Sequence, residues 1–118
     1  MWINRQFKTL LPAGCLCLAA LFLPACSSSA KKEALENDSK YILAQAKQAY
    51  FEEDFRKVFQ LLFPLAASGN GQAQYTLGYL YHHGLGVEKS DQQAMNWIQR
   101  AAAQGNKKAL EALKNVNR

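Results

Sequence analysis

The chain has 118 residues, of which 49% are hydrophobic, and its formal net charge is +5. This length suits one compact domain and excludes a two-domain enzyme. All three cysteines lie within the first 26 residues, which excludes a disulfide-stapled mini-protein and a cysteine-ligated zinc or iron–sulfur module. From Cys26 onward, twelve basic against nine acidic residues leave a charge of +3, which is too small to indicate a nucleic-acid partner.

Residues 1–25 have the pattern of a targeting segment. Arg5 and Lys8 precede an apolar stretch over residues 9–23, which a proline and a glycine interrupt. A membrane-spanning helix needs roughly 20 apolar residues, so this shorter stretch favours a cleaved signal peptide.

A short motif closes this segment. Leu23-Pro24-Ala25-Cys26 resembles the lipobox of bacterial lipoproteins, although that family usually has a small or hydroxylated residue in place of the proline. The resemblance implies lipidation of Cys26 and cleavage just before it, so that acyl chains hold the protein at a membrane. Ser27 is not acidic, which in this family implies the periplasmic side of the outer membrane. The alternative is an ordinary signal peptide with an incidental cysteine.

The residues after the motif are small, polar and charged over 27–37. Such a composition buries too little apolar surface to order itself. We therefore expect residues 26–37 to be a lipidated cysteine with a flexible tether, and residues 38–118 to be one folded domain.

The folded part repeats itself at an offset of 36 residues. The segment AASGN at 66–70 matches AAQGN at 102–106, and Leu77 aligns with Leu113. A period in the mid-thirties with paired helical patterns is typical of a helix–turn–helix solenoid. The sequence predicts an all-α domain, an α/α solenoid of about five antiparallel helices, which follows the N-terminal signal segment.

Turn residues separate these predicted helices in chain order. A tight turn at Glu52-Glu53 follows the first helix, and glycines break the chain after the third. Ser90 is placed to cap the fourth helix, with Gln93 able to complete a capping box. The two Gly-Asn pairs end the second and fourth helices. The predicted helices lie at residues 39–51, 54–68, around 73–81, around 94–101, and 107–115.

Residues 73–106 carry a dense pattern of glycine, aromatic and alanine residues. The pattern resembles one complete Sel-like repeat, a relative of the tetratricopeptide repeat, and Ala49–Ala66 resembles the abbreviated unit that opens such proteins. Glu53 departs from that unit, which usually has a turn glycine there. The residues that carry the main resemblance are Ala73-Gln74-Tyr75, Leu77-Gly78, Tyr81, Gly84, Gly86-Val87, Ala94, Trp97, Ala101-Ala102 and Gly105-Asn106.

This resemblance implies a binding surface on the third helix. In tetratricopeptide-like hairpins the first helix of each repeat lines the concave side, which places Gln72, Tyr75, Tyr79 and His82 in a partner-binding groove. Tyrosines beside hydrogen-bonding side chains suit peptide recognition. For Tyr75, a position in the core between helices is an equal alternative.

The chain offers little for catalysis. Adjacent helical residues point about 100° apart, so His82 and His83 do not easily share one metal ion. Ser28 and Lys31 fit the S-x-x-K pattern of penicillin-recognising enzymes, but they lie in the expected tether without a scaffold for an oxyanion hole. We expect no enzymatic activity, no metal and no cofactor.

The sequence therefore predicts a lipid-anchored adaptor or scaffold that faces the periplasm and binds an envelope protein or peptide. One alternative is a structural envelope protein that binds peptidoglycan or a surface polymer through basic residues near the C-terminus. The other is a cell-wall hydrolase or β-lactam-binding protein. Solenoids usually need about three repeats, so we expect either marginal stability or dependence on a partner or a homodimer. The basic residues are Lys107, Lys108, Lys114 and Arg118.

Overall fold

A computed structural model describes the backbone of residues 14–116 and the side chains of residues 29–116. Within this part of the chain every regular element is a helix, which confirms the predicted all-α class. The start of the predicted signal peptide and the side chain of Cys26 lie outside the described residues. The helices are α1 (Gly14–Phe51), α2 (Phe55–Ala67), α3 (Gly71–His83), α4 (Asp91–Ala103) and α5 (Lys107–Val116).

The chain divides into two compact units, Met1–Asn37 and Asp38–Arg118. The division falls inside α1, which begins at Gly14 and not at Ser39 as predicted. The backbone of 27–37 is helical, whereas the sequence predicted no helix before Ser39, and every described side chain before Ser39 is exposed. Lysine, glutamate, alanine and leucine in this segment favour a helix even without tertiary packing. A prediction based on polarity alone does not take this helix propensity into account.

No helix among the described residues is long and apolar enough to cross a membrane. Cleavage before Cys26, its lipidation and the flexibility of the segment after it remain predictions.

The core of the second unit lies between its helices. Leu77 and Leu80 of α3 and Val58 of α2 are the largest fully buried side chains. Trp97 of α4 is 8% exposed and belongs to the same cluster. Full burial of a leucine or valine side chain stabilises the folded state by about 1.5–3 kcal/mol. Since both α3 leucines face this core, α3 is the central helix of the unit.

Helices α3 and α4 approach closely at Gly78. A Cβ atom on Gly78 would lie 2.6 Å from Cγ1 of Ile98 and 3.1 Å from the carbonyl oxygen of Ala94. The first of these distances is shorter than a Cβ contact can be, so any larger residue at this position would require Ile98 to move. The α3–α4 hairpin is thus held in part by the contact of the Gly78 backbone with the Ile98 side chain.

The ends of α2 and α4 share one hydrogen-bond pattern. The N–H of Asn70 donates to the carbonyl of Leu65 at 3.1 Å, and that of Asn106 donates to the carbonyl of Ala101 at 3.0 Å. The glycine before each asparagine has a positive φ, 103° and 81° respectively. This is the Schellman arrangement. Each asparagine side chain then accepts the N–H three residues later, at 2.9 Å and 3.1 Å, and caps the next helix.

The same arrangement ends α1 and α3. The N–H of Asp54 donates to the carbonyl of Ala49 at 3.0 Å, and that of Leu85 donates to the carbonyl of Leu80 at 2.9 Å. The left-handed position is Gly84 after α3 (φ 65°), but after α1 a glutamate occupies it, with φ 59°. Among the described residues this glutamate, Glu53, is the one non-glycine residue with positive φ.

Helix α4 begins as predicted at Ser90. The Ser90 hydroxyl accepts the N–H of Gln93 at 3.2 Å. The second half of the predicted capping box does not form, because the N–H of Ser90 donates to the carbonyl of Tyr81 at 2.9 Å. The loop before α4 folds back on α3, and the Tyr81 carbonyl of α3 accepts the Ser90 N–H in place of the glutamine side chain.

Candidate functional site

A groove of about 690 Å³ opens between α1 and α3, and we call it the α1–α3 groove. Leu43 and Phe51 line it from α1, Val58 from α2, and Tyr75 from α3. Lys108 of α5 also contributes to its lining. Its volume falls in the range of about 300–1,000 Å³ that is typical of ligand clefts.

The four residues predicted to bind a partner all lie on the side of α3 that faces the grooves, and we call it the open side of α3. Gln72, Tyr75 and Tyr79 line the α1–α3 groove. His82 does not line it, but together with the two tyrosines it lines a second groove of about 380 Å³, which we call the α3–α5 groove. Tyr75 is half-buried and contributes to both grooves, so it belongs to the packing between helices and to the surface at once.

Tyr50 of α1 joins this surface, although it is not among the residues predicted to bind a partner. Its ring packs edge-on against Phe55, with the ring centroids 5.4 Å apart. A hydrogen bond to Tyr79, together with burial, raises the pKa of Tyr50 above the usual value of a tyrosine. The interaction connects α1 to α3 across the groove. Tyr50 lies one turn after the buried Ala46, and this helical spacing is the signal that could have found it.

His82 has an acidic neighbour that is distant in sequence. Its Nδ1 atom lies 2.9 Å from Oδ1 of Asp91, the first residue of α4. The two side chains are 58% and 71% exposed, and a pair this exposed contributes little to stability. His83 packs instead against Tyr79, with ring centroids 4.3 Å apart. The two histidine rings also lie edge-on to each other, with centroids 4.9 Å apart, while Asp91 and Tyr79 are their respective other neighbours.

No cluster of three or more His, Cys, Asp or Glu side chains that could hold a metal ion occurs in the part of the chain whose side chains are described. Ser28 of the S-x-x-K pattern and Cys26 of the lipobox both lie outside that part. Of the described side chains that line the α1–α3 groove, three are lysines and none is an aspartate or glutamate.

Residues 71–106 match the family model of the Sel1 repeat. The chain contains a Sel1 repeat. The match starts with α3 and ends just before α5, so it covers the α3–α4 hairpin and its closing turn. The two tyrosines and the histidine of the open surface therefore belong to the repeat itself, whereas Tyr50 and the groove lysines lie outside it.

Several known proteins are similar to parts of the chain. The chitin synthase regulator SKT5 of Saccharomyces cerevisiae is 37% identical over 65 residues, which is 55% of this chain and 9% of that protein. A putative sel1-like repeat-containing protein L18 of Acanthamoeba polyphaga mimivirus is 42% identical over 45 residues, 38% of this chain and 8% of that protein.

The DAP3-binding cell death enhancer 1 of Rattus norvegicus is 33% identical over 63 residues, or 53% of this chain and 12% of that protein. The chain thus corresponds to only about a tenth of the length of these relatives. No solved structure matches the chain.

Proposed function

We propose that this chain is a non-catalytic adaptor that binds another protein through the open side of α3. The observation that carries the proposal is the position of Tyr75 and Tyr79, which line two adjoining grooves and stay partly accessible. Tyrosine offers a large contact area at a low cost in conformational entropy and is enriched at binding hot spots. Gln72 and His82 supply hydrogen-bonding groups at the two ends of this surface.

The relatives support a binding role. One is named as a regulator of chitin synthase and another as a DAP3-binding protein. Both names describe action on or association with another protein. For this chain we propose the same class of role with a different partner, an envelope protein or peptide, because the targeting pattern before Cys26 predicts export.

The proposed location is the periplasmic side of the bacterial outer membrane, with lipid on Cys26. This part of the proposal rests on the sequence Leu23–Cys26, which resembles a lipobox. A lipid anchor would keep the α3 surface close to the membrane without a spanning helix.

Site-specific photocrosslinking in cells tests the adaptor role. A photoreactive residue at Gln72 lies in the α1–α3 groove, and one at Gln99 provides the control, because Gln99 is also an exposed glutamine but lines neither groove. We expect a discrete crosslinked protein from position 72 and none from position 99. In the Tyr79→Ala/His82→Ala background the crosslink at position 72 should fall at least fivefold.

The identity of the crosslinked species separates the outcomes. A different protein supports the adaptor role, whereas a crosslink to a second copy of the chain would identify the groove as a homodimer interface and contradict it. Equal crosslinking from positions 72 and 99 would also contradict it, because contact would then not depend on the groove.

Metabolic labelling with a radioactive fatty acid tests the location. We expect the label on the wild-type chain and its loss from the Cys26→Ala variant, while Cys15→Ala keeps it. Label that persists in Cys26→Ala would contradict the lipobox assignment and leave the adaptor proposal to the crosslinking experiment.

A further inference from the structure

The charged side chains described in the lining of the α1–α3 groove are all lysines. Lys40 and Lys47 line it from α1 and Lys108 lines it from α5, and none of the described carboxylates does. The amine of Lys47 lies 5.9 Å from the ring centroid of Phe51, so a cation sits beside exposed apolar surface. No ion pair joins Lys47 or Lys108 to a carboxylate among the residues whose side chains are described.

The carboxylates of the neighbouring turns have other partners. Glu52 accepts a hydrogen bond from the Gln48 side chain at 2.9 Å. Asp54 accepts the backbone N–H of Lys57 at 3.1 Å. Asp91 pairs with His82 in the α3–α5 groove. Among the residues whose side chains are described, these three carboxylates thus have contacts other than Lys47 and Lys108.

The floor of the same groove is apolar. Val58 and Leu62 are 1% and 2% exposed and form its base. Phe51 is 70% exposed at its edge, which is unusual for so large an apolar side chain. An apolar floor with a cationic border is complementary to a ligand that carries large apolar side chains and negative charges together.

We propose that the α1–α3 groove binds an acidic peptide segment of a partner protein. The peptide inserts one or two large apolar side chains beside Phe51 and Val58 and places its carboxylates near Lys47 and Lys108. This inference rests on the proposed adaptor function and names the chemistry of its partner. A peptide is favoured over a membrane surface because the lysines border a concave groove that extends inward to buried side chains, whereas a lipid surface meets a flat or convex face.

Fluorescence anisotropy on the full chain in detergent micelles tests this inference. The probe is a fluorescein-labelled peptide of about twelve residues in which glutamate alternates with leucine and phenylalanine. A matched peptide carries glutamine in place of every glutamate. At low salt we expect the acidic probe to bind at least tenfold more tightly. The difference should shrink at about 1 M salt, where the screening length falls to about 3 Å.

Two pairs of variants locate the binding site. Lys47→Gln/Lys108→Gln should weaken the acidic probe about tenfold, because each exposed ion pair changes affinity by up to about fivefold. Lys57→Gln/Lys107→Gln removes the same charge from lysines that do not line the groove and should change affinity less than twofold.

The apolar contact has its own control. Phe51→Ala should weaken both peptides at least threefold, since Phe51 lines the groove. Phe63→Ala should leave binding unchanged, because Phe63 packs against Trp97 on another side of α2 and does not line the groove.

Equal affinity for the acidic and neutral peptides would overturn the inference, and so would equal losses in the two lysine pairs. Displacement of the acidic probe from the wild-type chain by phosphatidylglycerol vesicles, but not by phosphatidylcholine vesicles, would identify a lipid surface as the occupant and also overturn it. If these outcomes appear while position 72 still crosslinks to another protein, the adaptor function stands and only the proposed partner chemistry fails.

Discussion

The α1–α2 and α3–α4 hairpins use connections of very different size. Three residues, 52–54, join α1 to α2, whereas seven residues, 84–90, join α3 to α4. The short turn bonds to the end of α1 through Ala49 and Tyr50. The long loop also contacts the other hairpin, because Gly86 packs directly against the backbone of Phe55 at the start of α2.

This difference shows where the two hairpins are held together. The short connection only reverses the chain, so its residue types affect the local turn. The long connection links one hairpin to the next, so a change there alters the contact between hairpins as well. Substitutions in the long loop should therefore destabilise the folded domain more than substitutions in the short turn.

The largest expected effect is that of Gly86→Ala. A Cβ atom at this position would lie 2.5 Å from the carbonyl carbon of Phe55, and its φ is 69°. A left-handed conformation costs a residue with a Cβ atom about 1–2 kcal/mol, and overpacking adds about 1–3 kcal/mol because backbone atoms cannot move aside. We expect the free energy of unfolding, measured with urea, to fall by about 3 kcal/mol.

Gly105→Ala is the matched control for that variant. Its φ of 81° is also positive, but no atom lies within 4 Å of the added Cβ, so only the backbone term of about 1–2 kcal/mol applies. If both variants lost the same stability, the contact of the long loop with α2 would be energetically unimportant and the comparison between the hairpins would fail.

A smaller effect of opposite sign is expected for Glu53→Gly. Glu53 is exposed and has a φ of 59°, where glycine has no steric cost. Relief of about 1–2 kcal/mol of strain is partly offset by about 0.4–1 kcal/mol from the greater freedom of glycine in the unfolded chain. We expect a net gain of about 1 kcal/mol in the free energy of unfolding from urea denaturation. A loss of stability would show that the glutamate side chain contributes more than its backbone strain costs.

The smallest expected effect concerns the hydrogen bond between Tyr50 of α1 and Tyr79 of α3. Because its pKa in the folded state lies above the unfolded value of 10.0, this group stabilises the fold fully below about pH 10. That contribution is lost as the pH rises through the folded-state value. In ultraviolet titrations, Tyr79→Phe should move the ionisation of Tyr50 to lower pH, whereas Tyr41→Phe should not. An unchanged Tyr50 ionisation in Tyr79→Phe would contradict the hydrogen bond across the groove.

The local structure could largely be predicted from the sequence. The Gly-Asn pairs at 69–70 and 105–106 end helices as expected, since the left-handed conformation favours glycine there. Ser90 caps α4 because a hydroxyl at this position satisfies a free N–H group. These features depend only on residues that are close to one another in the sequence, so the sequence is sufficient to predict them.

The candidate site was predictable only for the helix that carries the family pattern. Gln72, Tyr75 and Tyr79 share one face of α3, and spacing along a single helix fixes that face. The pairing of His82 with Asp91 depends on the path of the loop formed by residues 84–90. The spacing of residues along a single helix does not determine that path. The groove lysines belong to different helices, so only the packing of those helices brings them together.

Part of the missing information was nevertheless present in α1. Lys40, Ala44, Lys47 and Phe51 recur at intervals of three and four residues, which places them on one stripe of a helix. All four line the α1–α3 groove. The stripe lies within the helix predicted at 39–51, but its spacing does not show which neighbouring helix it faces.

The Gly-Asn junctions have a consequence for how this architecture tolerates change in chain length. The asparagine of each pair closes one helix and opens the next, so no spare residue separates the two. One inserted or deleted residue would rotate the following helix by about 100° and turn its apolar stripe away from the core. Length variation among natural variants of this chain is therefore expected within 84–90 and absent at 69–70 and 105–106.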